Sequence, residues 1–251
     1  MPKNPLSIQM YTLRDQVAAN IAGALRAVAE LGYGAVELHS FGNLSAAQVR
    51  AELDTLGLQA SGMHVSLDRL ENQLDAAIAD LQTIGARHII CPWLPTERRG
   101  SAEGYRSLAQ TLNRIGRDVQ AKGLQLSYHN HDFEFERFGD LTALDIILGE
   151  TDPALVKSEL DVYWAAFAGV DPIALIRSLG SRVPLVHLKD MAAGSRTFAE
   201  VGHGTLDFPA ILAACDEAGV EWLIVEQDRC DGPPLESVGK SLAYLRSLGR
   251  A

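Results

Sequence analysis

Residues 85–131 read GARHIICPWLPTERRGSAEGYRSLAQTLNRIGRDVQAKGLQLSYHNH. After Gly85 a short apolar run, His88–Trp93, has the length and content of a strand. Ser107–Ala121 then carries apolar residues at three- and four-residue steps, the spacing of one helix face. Gly123 stops that helix, because glycine takes the left-handed conformation at a helix end without steric cost. Gln125–His131 is the next strand. A strand, a crossover helix and a second strand form the unit that builds parallel sheets.

The same unit repeats in both directions. Strands are expected at Leu6–Thr12, Ala35–Ser40, Leu58–Val65, Val156–Tyr163, Pro184–Asp190 and Trp222–Asp228, which makes eight in all. Gly32, Gly57 and Gly219 precede strands as Gly85 and Gly123 do. Helical spacing covers Asn20–Leu31, Leu70–Ile84, Leu206–Ala218 and Leu235–Leu248. Ser45 with Gln48 three residues on has the form of a capping box, and Asp171-Pro172 and Asp207–Pro209 read as helix starts. Eight alternating units fit a closed barrel or an open, doubly wound sheet. An open sheet usually carries a glycine-rich loop after its first strand. Here that stretch is MYTLRDQ, and neither GxGxxG nor GxxxxGK[ST] occurs. The count and even spacing favour a (β/α)8 TIM barrel, one domain over residues 1–251, a length that suits this fold.

Composition narrows the function classes. Hydrophobic residues make up 47% and charged residues 22%, an ordinary globular composition that argues against disorder. Thirty-two acidic against 22 basic residues give a net charge of −10. That balance disfavours nucleic acid or an anionic membrane as a partner, since phosphate binding needs a basic footprint. Cys91, Cys215 and Cys230 are too few and too scattered for a disulfide framework or a thiolate zinc site. The opening MPKNPLS has no apolar signal core, and no apolar run approaches the roughly 20 residues of a bilayer span. The expectation is a soluble, cytoplasmic protein, its oligomeric state open, a homo-oligomer included.

Polar residues then locate a site. Buried parallel strands are ordinarily near-continuous apolar runs, and here that rule breaks late in each strand. Glu37 and His39 end the second, His64 the third, His129 and His131 the fifth. Glu159 and Asp161 lie in the sixth, His187 and Lys189 end the seventh, Glu226 and Asp228 the eighth. Members of each pair are two apart and share a face. Unpaired buried charge is costly, so the pattern makes sense if these groups meet at the barrel mouth, where the active sites of this fold lie. The bland alternative is a self-satisfied ion-pair network. His88, at the start of a strand, and His203, in a loop, are expected to be no part of the site. Asp190 and Asp228 are expected to support ligands or cap helices. Imidazoles and carboxylates without thiols suit one divalent metal ion, Mn, Zn, Co or Mg. Trp93 and Trp164 follow strands and are candidates for stacking on a sugar face.

In order and spacing, GYGAVELHS, SGMHVSL, SYHNHDFEF, ELDVYW, VHLKDM, EVGHGTLDFPAIL and IVEQD resemble the sugar phosphate isomerase/epimerase family, the xylose isomerase-like barrels that also include endonuclease IV. The resemblance covers almost the whole chain. It implies a metal held by His129, Asp161, His187 and Glu226, with one departure: relatives of the ketose epimerase kind carry a glutamate where this chain has His129. Those relatives use two glutamates as an acid/base pair. The resemblance therefore leaves proton transfer to Glu226 with Lys189, His131 or Glu159 as its counterpart. His64, Glu37, Trp93 and Trp164 would then contact a carbohydrate substrate. The acidic balance and incomplete ligand set argue against the endonuclease branch. The leading expectation is a metal-dependent isomerase or epimerase of a sugar, keto-sugar or polyol derivative, working through an enediolate. The runner-up is a lyase or dehydratase of a keto-sugar or inosose, which shares the first step and then expels a β-leaving group. A sugar-binding barrel without metal is the third reading. Lys189, beside a cation and partly buried, is expected to have a lowered pKa and to serve as a base; the alternative is a fully charged Lys189 paired with Glu159 or Asp228.

Overall fold

All eight expected strands form, each ending earlier than its apolar pattern. In the computed structural model, which describes residues 5–250, they are Leu6–Gln9, Ala35–Leu38, Gln59–His64, His88–Cys91, Gln125–His129, Val156–Asp161, Leu185–Leu188 and Trp222–Val225. Residues 1–4, the start of the stretch read for a signal core, lie outside the described residues. The strands pair in parallel in chain order. The last closes on the first, with Leu6 opposite Leu223 and Ile8 opposite Val225, so the sheet is a barrel and not an open sheet. Pairing stops where the chain turns outward to build the rim, so the polar ends lie at or just beyond the last paired residues.

Helices cover the barrel. Leu, Ile and Val from their inner faces and from the outward faces of the strands form one continuous core, in which Val36, Leu38, Ile89 and Leu223 meet Leu25, Leu53, Leu81 and Leu212. Inside the barrel a separate small cluster of Ile90, Leu185 and Ile224, with Trp222 packed against it, plugs the lower half. Ser7 and Ser61 are hydrogen-bonded at 2.7 Å in the buried interior. Two residues beyond Leu185 and Ile224 come His187 and Glu226, and two beyond Ser7 comes Gln9, on the same inward face as the two-residue period of a strand requires.

Local chemistry sets the helix ends. The Ser45–Gln48 capping box opens Ala46–Leu56, and Asp171 and Asp207 cap the helices Pro172–Leu179 and Phe208–Ala218. The first helix begins earlier than its apolar spacing, at Arg14, and kinks at Asn20, whose Oδ1 accepts the Gly23 N–H at 3.1 Å. The run Leu70–Ile84 is two helices, Leu67–Asn72 and Leu74–Ile84, broken at non-helical Gln73. Two short hairpins decorate the rim: Arg137–Phe138 with Leu141–Thr142, and Asp190–Met191 with Phe198–Ala199. Among the described residues no helix is long and apolar enough to cross a membrane.

Candidate active site

Asp161 ends the sixth strand and caps the short helix Val162–Phe167. Its Oδ1 accepts the N–H groups of Tyr163 (2.9 Å) and Trp164 (3.1 Å), which fixes the carboxylate and leaves Oδ2 for the barrel floor. There Oδ2 lies 2.9 Å from Lys189 Nζ, which also reaches Glu226 Oε2 at 2.8 Å and Asp228 Oδ2 at 2.6 Å. His187 spans two carboxylates, with Nδ1 2.9 Å from Glu226 Oε2 and Nε2 2.9 Å from Glu37 Oε2. Glu37 Oε2 also accepts from Gln9 Nε2 at 2.6 Å and lies 3.0 Å from His64 Nε2. Glu159 Oε2 is ringed by His64 Nε2 (2.7 Å), His129 Nδ1 (3.0 Å) and His187 Nε2 (3.3 Å).

These contacts set the charges. Burial alone would raise the Glu37 carboxyl, but the His64 and His187 rings hold it well below the usual carboxylate range. Burial works against a charged His64 as well, yet Glu37 and Glu159 bring it up to about 10. His187 is raised by Glu159, Glu37 and Glu226 against the same cost. His129 goes the other way, pushed well down by burial and by His187, so its ring is neutral. Burial and then Lys189 push His131 down to about 3, and burial with His64 pushes His39 to about 4. Lys189 reverses the sequence expectation of a lowered pKa. Burial favours the neutral amine, but Asp161, Glu226 and Asp228 together raise it well above its ordinary value. Lys189 is here a cation held among three carboxylates, Asp228 among them, which is the pairing the sequence offered as the alternative to a base role.

The donor set suits a divalent ion. One ligand atom from each of His129, Asp161, His187 and Glu226 lies within 4.8 Å of the others, and His64, His129, Glu159 and His187 form a second such group sharing two members. The Lys189 ammonium between Asp161 and Glu226 marks this as a place that takes positive charge. Imidazole and carboxylate oxygen match the borderline-to-hard metals expected from the sequence.

Above the floor a cavity of about 740 Å³ opens to solvent. His64, His129 and Glu226 form its base, and Trp93, Trp164 and His131 stand on its wall. The His131 ring is clamped edge-on by Trp93 (4.8 Å between centroids) and stacked on Phe133 (5.7 Å), and its Nδ1 is buried with no hydrogen-bond partner. Glu37 and Glu159, expected to contact substrate and to move protons, are instead wholly buried and held by the rings beneath. His88 pairs with Glu221 at the opposite end of the barrel (3.1 Å), and His203 is exposed. Asp190 accepts the N–H groups of Gly202 and Gly204 and so shapes the GHGTL loop, as a supporting group would.

Three supporting residues escaped the sequence reading. Gln9 holds Glu37, and its place two residues after Ser7 at a strand end follows the rule that found the others. Asn130 Oδ1 accepts the Asp161 N–H at 3.0 Å, tying together the ends of the fifth and sixth strands. Buried Glu134 accepts the His131 N–H at 2.7 Å and the Tyr128 hydroxyl at 2.6 Å; burial raises its carboxyl to about 7. Asn130 lies in a loop and Glu134 in the single 3-10 turn Phe133–Phe135, where no periodicity marks them.

Comparison with known proteins places the chain among relatives of the same fold. The chain is 30% identical over 164 residues to an inosose dehydratase of Clostridium beijerinckii; the match covers 57% of this chain and 54% of the relative, so it spans about half that protein's length. An inosose dehydratase of Geobacillus kaustophilus is 27% identical over 259 residues, covering 87% of this chain and 81% of the relative. The structure of a sugar phosphate isomerase/epimerase from Parabacteroides distasonis superposes with a TM-score of 0.85 at 24% identity, over 98% of this chain and 95% of the other, which shows the shared fold. A family model described as xylose isomerase-like TIM barrel matches residues 25–248, and the chain belongs to that family.

Proposed function

We propose that this protein is a metal-dependent lyase that dehydrates a keto-polyol of the inosose type. The observation that carries the reading is the asymmetry of the site. One ionised carboxylate, Glu226, and the neutral imidazole of His129 sit together at the base, so the two opposed glutamates of a ketose epimerase are absent. Elimination needs no second symmetric base. The two inosose dehydratases named above support the same choice.

A divalent ion held by His129, Asp161, His187 and Glu226 would polarise the substrate carbonyl. Of the groups named for proton transfer, His131 is the best placed. It lines the cavity, and its ring is clamped between Trp93 and Phe133. His131 takes the proton next to the ketone and returns it to the departing hydroxyl, which leaves as water. Glu226, kept anionic by Lys189 and His187, holds the base of the site. Trp164 and Trp93 supply faces for the apolar side of the ring. The cavity lining includes Asp68, Asp132 and Asp228 and, among the described residues, no lysine or arginine. That lining suits an uncharged substrate and not a sugar phosphate.

Proton NMR in D₂O with an inosose and manganese-loaded protein tests the reading. Deuterium uptake beside the ketone with loss of water is expected. Uptake with rearrangement and no loss of water would make the enzyme an isomerase or epimerase, and no uptake would leave a binding protein.

A further inference from the structure

The loop after the fourth strand, residues 92–99, reads PWLPTERR and ends in two adjacent arginines. Their side chains part company. Arg98 Nη1 meets Glu71 Oε1 at 2.8 Å, which anchors the short turn Thr96–Arg98 to the helix Leu67–Asn72. Arg99 packs against aromatic rings instead. Its Nε donates to the Leu94 carbonyl at 2.7 Å, which ties down one edge of the guanidinium. Its Nη2 is buried with no hydrogen-bond partner. Burying an unmet donor is costly, so hydrogen bonding alone does not account for an arginine here.

The guanidinium carbon lies 3.4 Å from the Phe133 ring centroid and 4.0 Å from that of Trp93. Those two rings meet edge-on at 5.1 Å, and both touch His131. Phe133 is stacked on the imidazole with the ring planes 9° apart, and Trp93 meets it edge-on. Trp93 comes from the loop after the fourth strand, His131 and Phe133 from the loop after the fifth, so the guanidinium sits at the seam of two loops. A planar, delocalised cation can lie against two aromatic rings at once; a lysine ammonium on a flexible stem cannot do the same. Trp93 and His131 line the cavity, whereas Arg99 and Phe133 are not among its lining residues. Arg99 therefore stands behind the cavity wall, and any influence it has on the chemistry passes through the rings.

We propose that Arg99 is a positioning residue: it braces Phe133 and Trp93 from behind and so holds the His131 imidazole in the orientation in which it moves the proton. This rests on the base role given to His131 above. Phe133 is the main link, because the guanidinium lies nearer to it and His131 is stacked on it. A reacting group misplaced by about 1 Å costs roughly a hundredfold in rate, so a loosened ring is enough to slow the reaction. Substrate affinity depends much less on Arg99, since Trp93 keeps its edge contacts with His131 and Phe133 and Trp164 stands apart from the guanidinium.

Arg99→Met removes the planar cation, and Arg99→Lys keeps the charge without the plane. With manganese-loaded enzyme and an inosose, both variants are expected to lose about tenfold or more in kcat with KM changed less than about threefold, while metal content and circular dichroism stay as in the wild type. In a His131→Gln background Arg99→Met should change kcat less than about twofold, because the group through which it acts is already gone. A second readout needs no turnover. In magnesium-loaded, histidine-labelled protein the His131 Cε1–H signal, assigned by its absence in His131→Gln, should move in Arg99→Met as the stacking on Phe133 loosens. Wild-type kcat in Arg99→Met, full activity in Arg99→Lys, or an equal further loss in the His131→Gln background would overturn the proposal, as would an unmoved His131 signal. Failure of the reading beneath it shows differently: His131→Gln would then keep near-normal kcat. A slowed His131→Gln enzyme beside an unaffected Arg99→Met enzyme defeats the role of Arg99 alone.

Discussion

Lys189 Nζ lies 2.8 Å from Glu226 Oε2, wholly buried, and the same ammonium holds Asp161 and Asp228. This cation therefore balances carboxylates that would otherwise repel one another under the cavity. Removing one partner of a buried ion pair costs about 3–5 kcal/mol, because the remaining charge is left uncompensated. Lys189→Met should accordingly lower the Tm clearly in EDTA, and saturating manganese should restore part of the loss by supplying positive charge to the same carboxylates. An unchanged Tm in EDTA would show that the ammonium carries no such role.

His131 gives a sharper kinetic expectation. Its ring lines the cavity without coordinating the proposed ion, so His131→Gln should retain bound metal. Its kcat should fall about a hundredfold or more, the scale of a lost general acid–base group. Near-normal kcat with metal retained would return proton transfer to Glu226.

Glu134 provides a pH test. Burial raises its carboxyl from 4.5 to about 7, while the Tyr128 hydroxyl and the His131 N–H pull the other way. A raised folded-state pKa means that the folded protein binds the proton more tightly than the unfolded chain. The stabilisation is complete below about 4.5 and is lost as the pH rises to about 7. Across that window the loss amounts to about 3 kcal/mol at most. Glu134→Gln should flatten the fall in urea-unfolding free energy between pH 5 and 7 relative to wild type. Parallel curves for the two proteins would place the Glu134 titration elsewhere.

Trp93 separates a wall residue from a core residue. Truncating a buried Trp costs about 3–5 kcal/mol, but this ring is 44% exposed. Trp93→Ala should therefore cost well under that amount in urea unfolding while raising KM for the keto-sugar. A full core-sized loss of stability with KM unchanged would make Trp93 a packing residue.

The barrel was legible because its strands and helices follow local rules: apolar runs, helical spacing and glycine stops. The floor was legible because charged residues at a spacing of two, late in buried strands, have no inexpensive place to go except one another. What the sequence misplaced depends on distance along the chain. Lys189 reads as a lysine near a metal; that Asp161, Glu226 and Asp228 would all reach it is decided by closure of the barrel. Glu37 and Glu159 share a strand face with cavity residues, yet the His64 and His187 rings cover them. Asn130 and Glu134 act through loop geometry, which leaves no period in the sequence.

The proposed dehydration depends on a divalent ion held by His129, Asp161, His187 and Glu226. Metal content and inosose turnover, measured together on wild type, Asp161→Ala and His187→Ala, test it most directly. The expected result is about one equivalent of metal and release of water in the wild type, with both lost in each variant while circular dichroism stays native. Full metal content in both variants, or undiminished water release from metal-free enzyme, would contradict it.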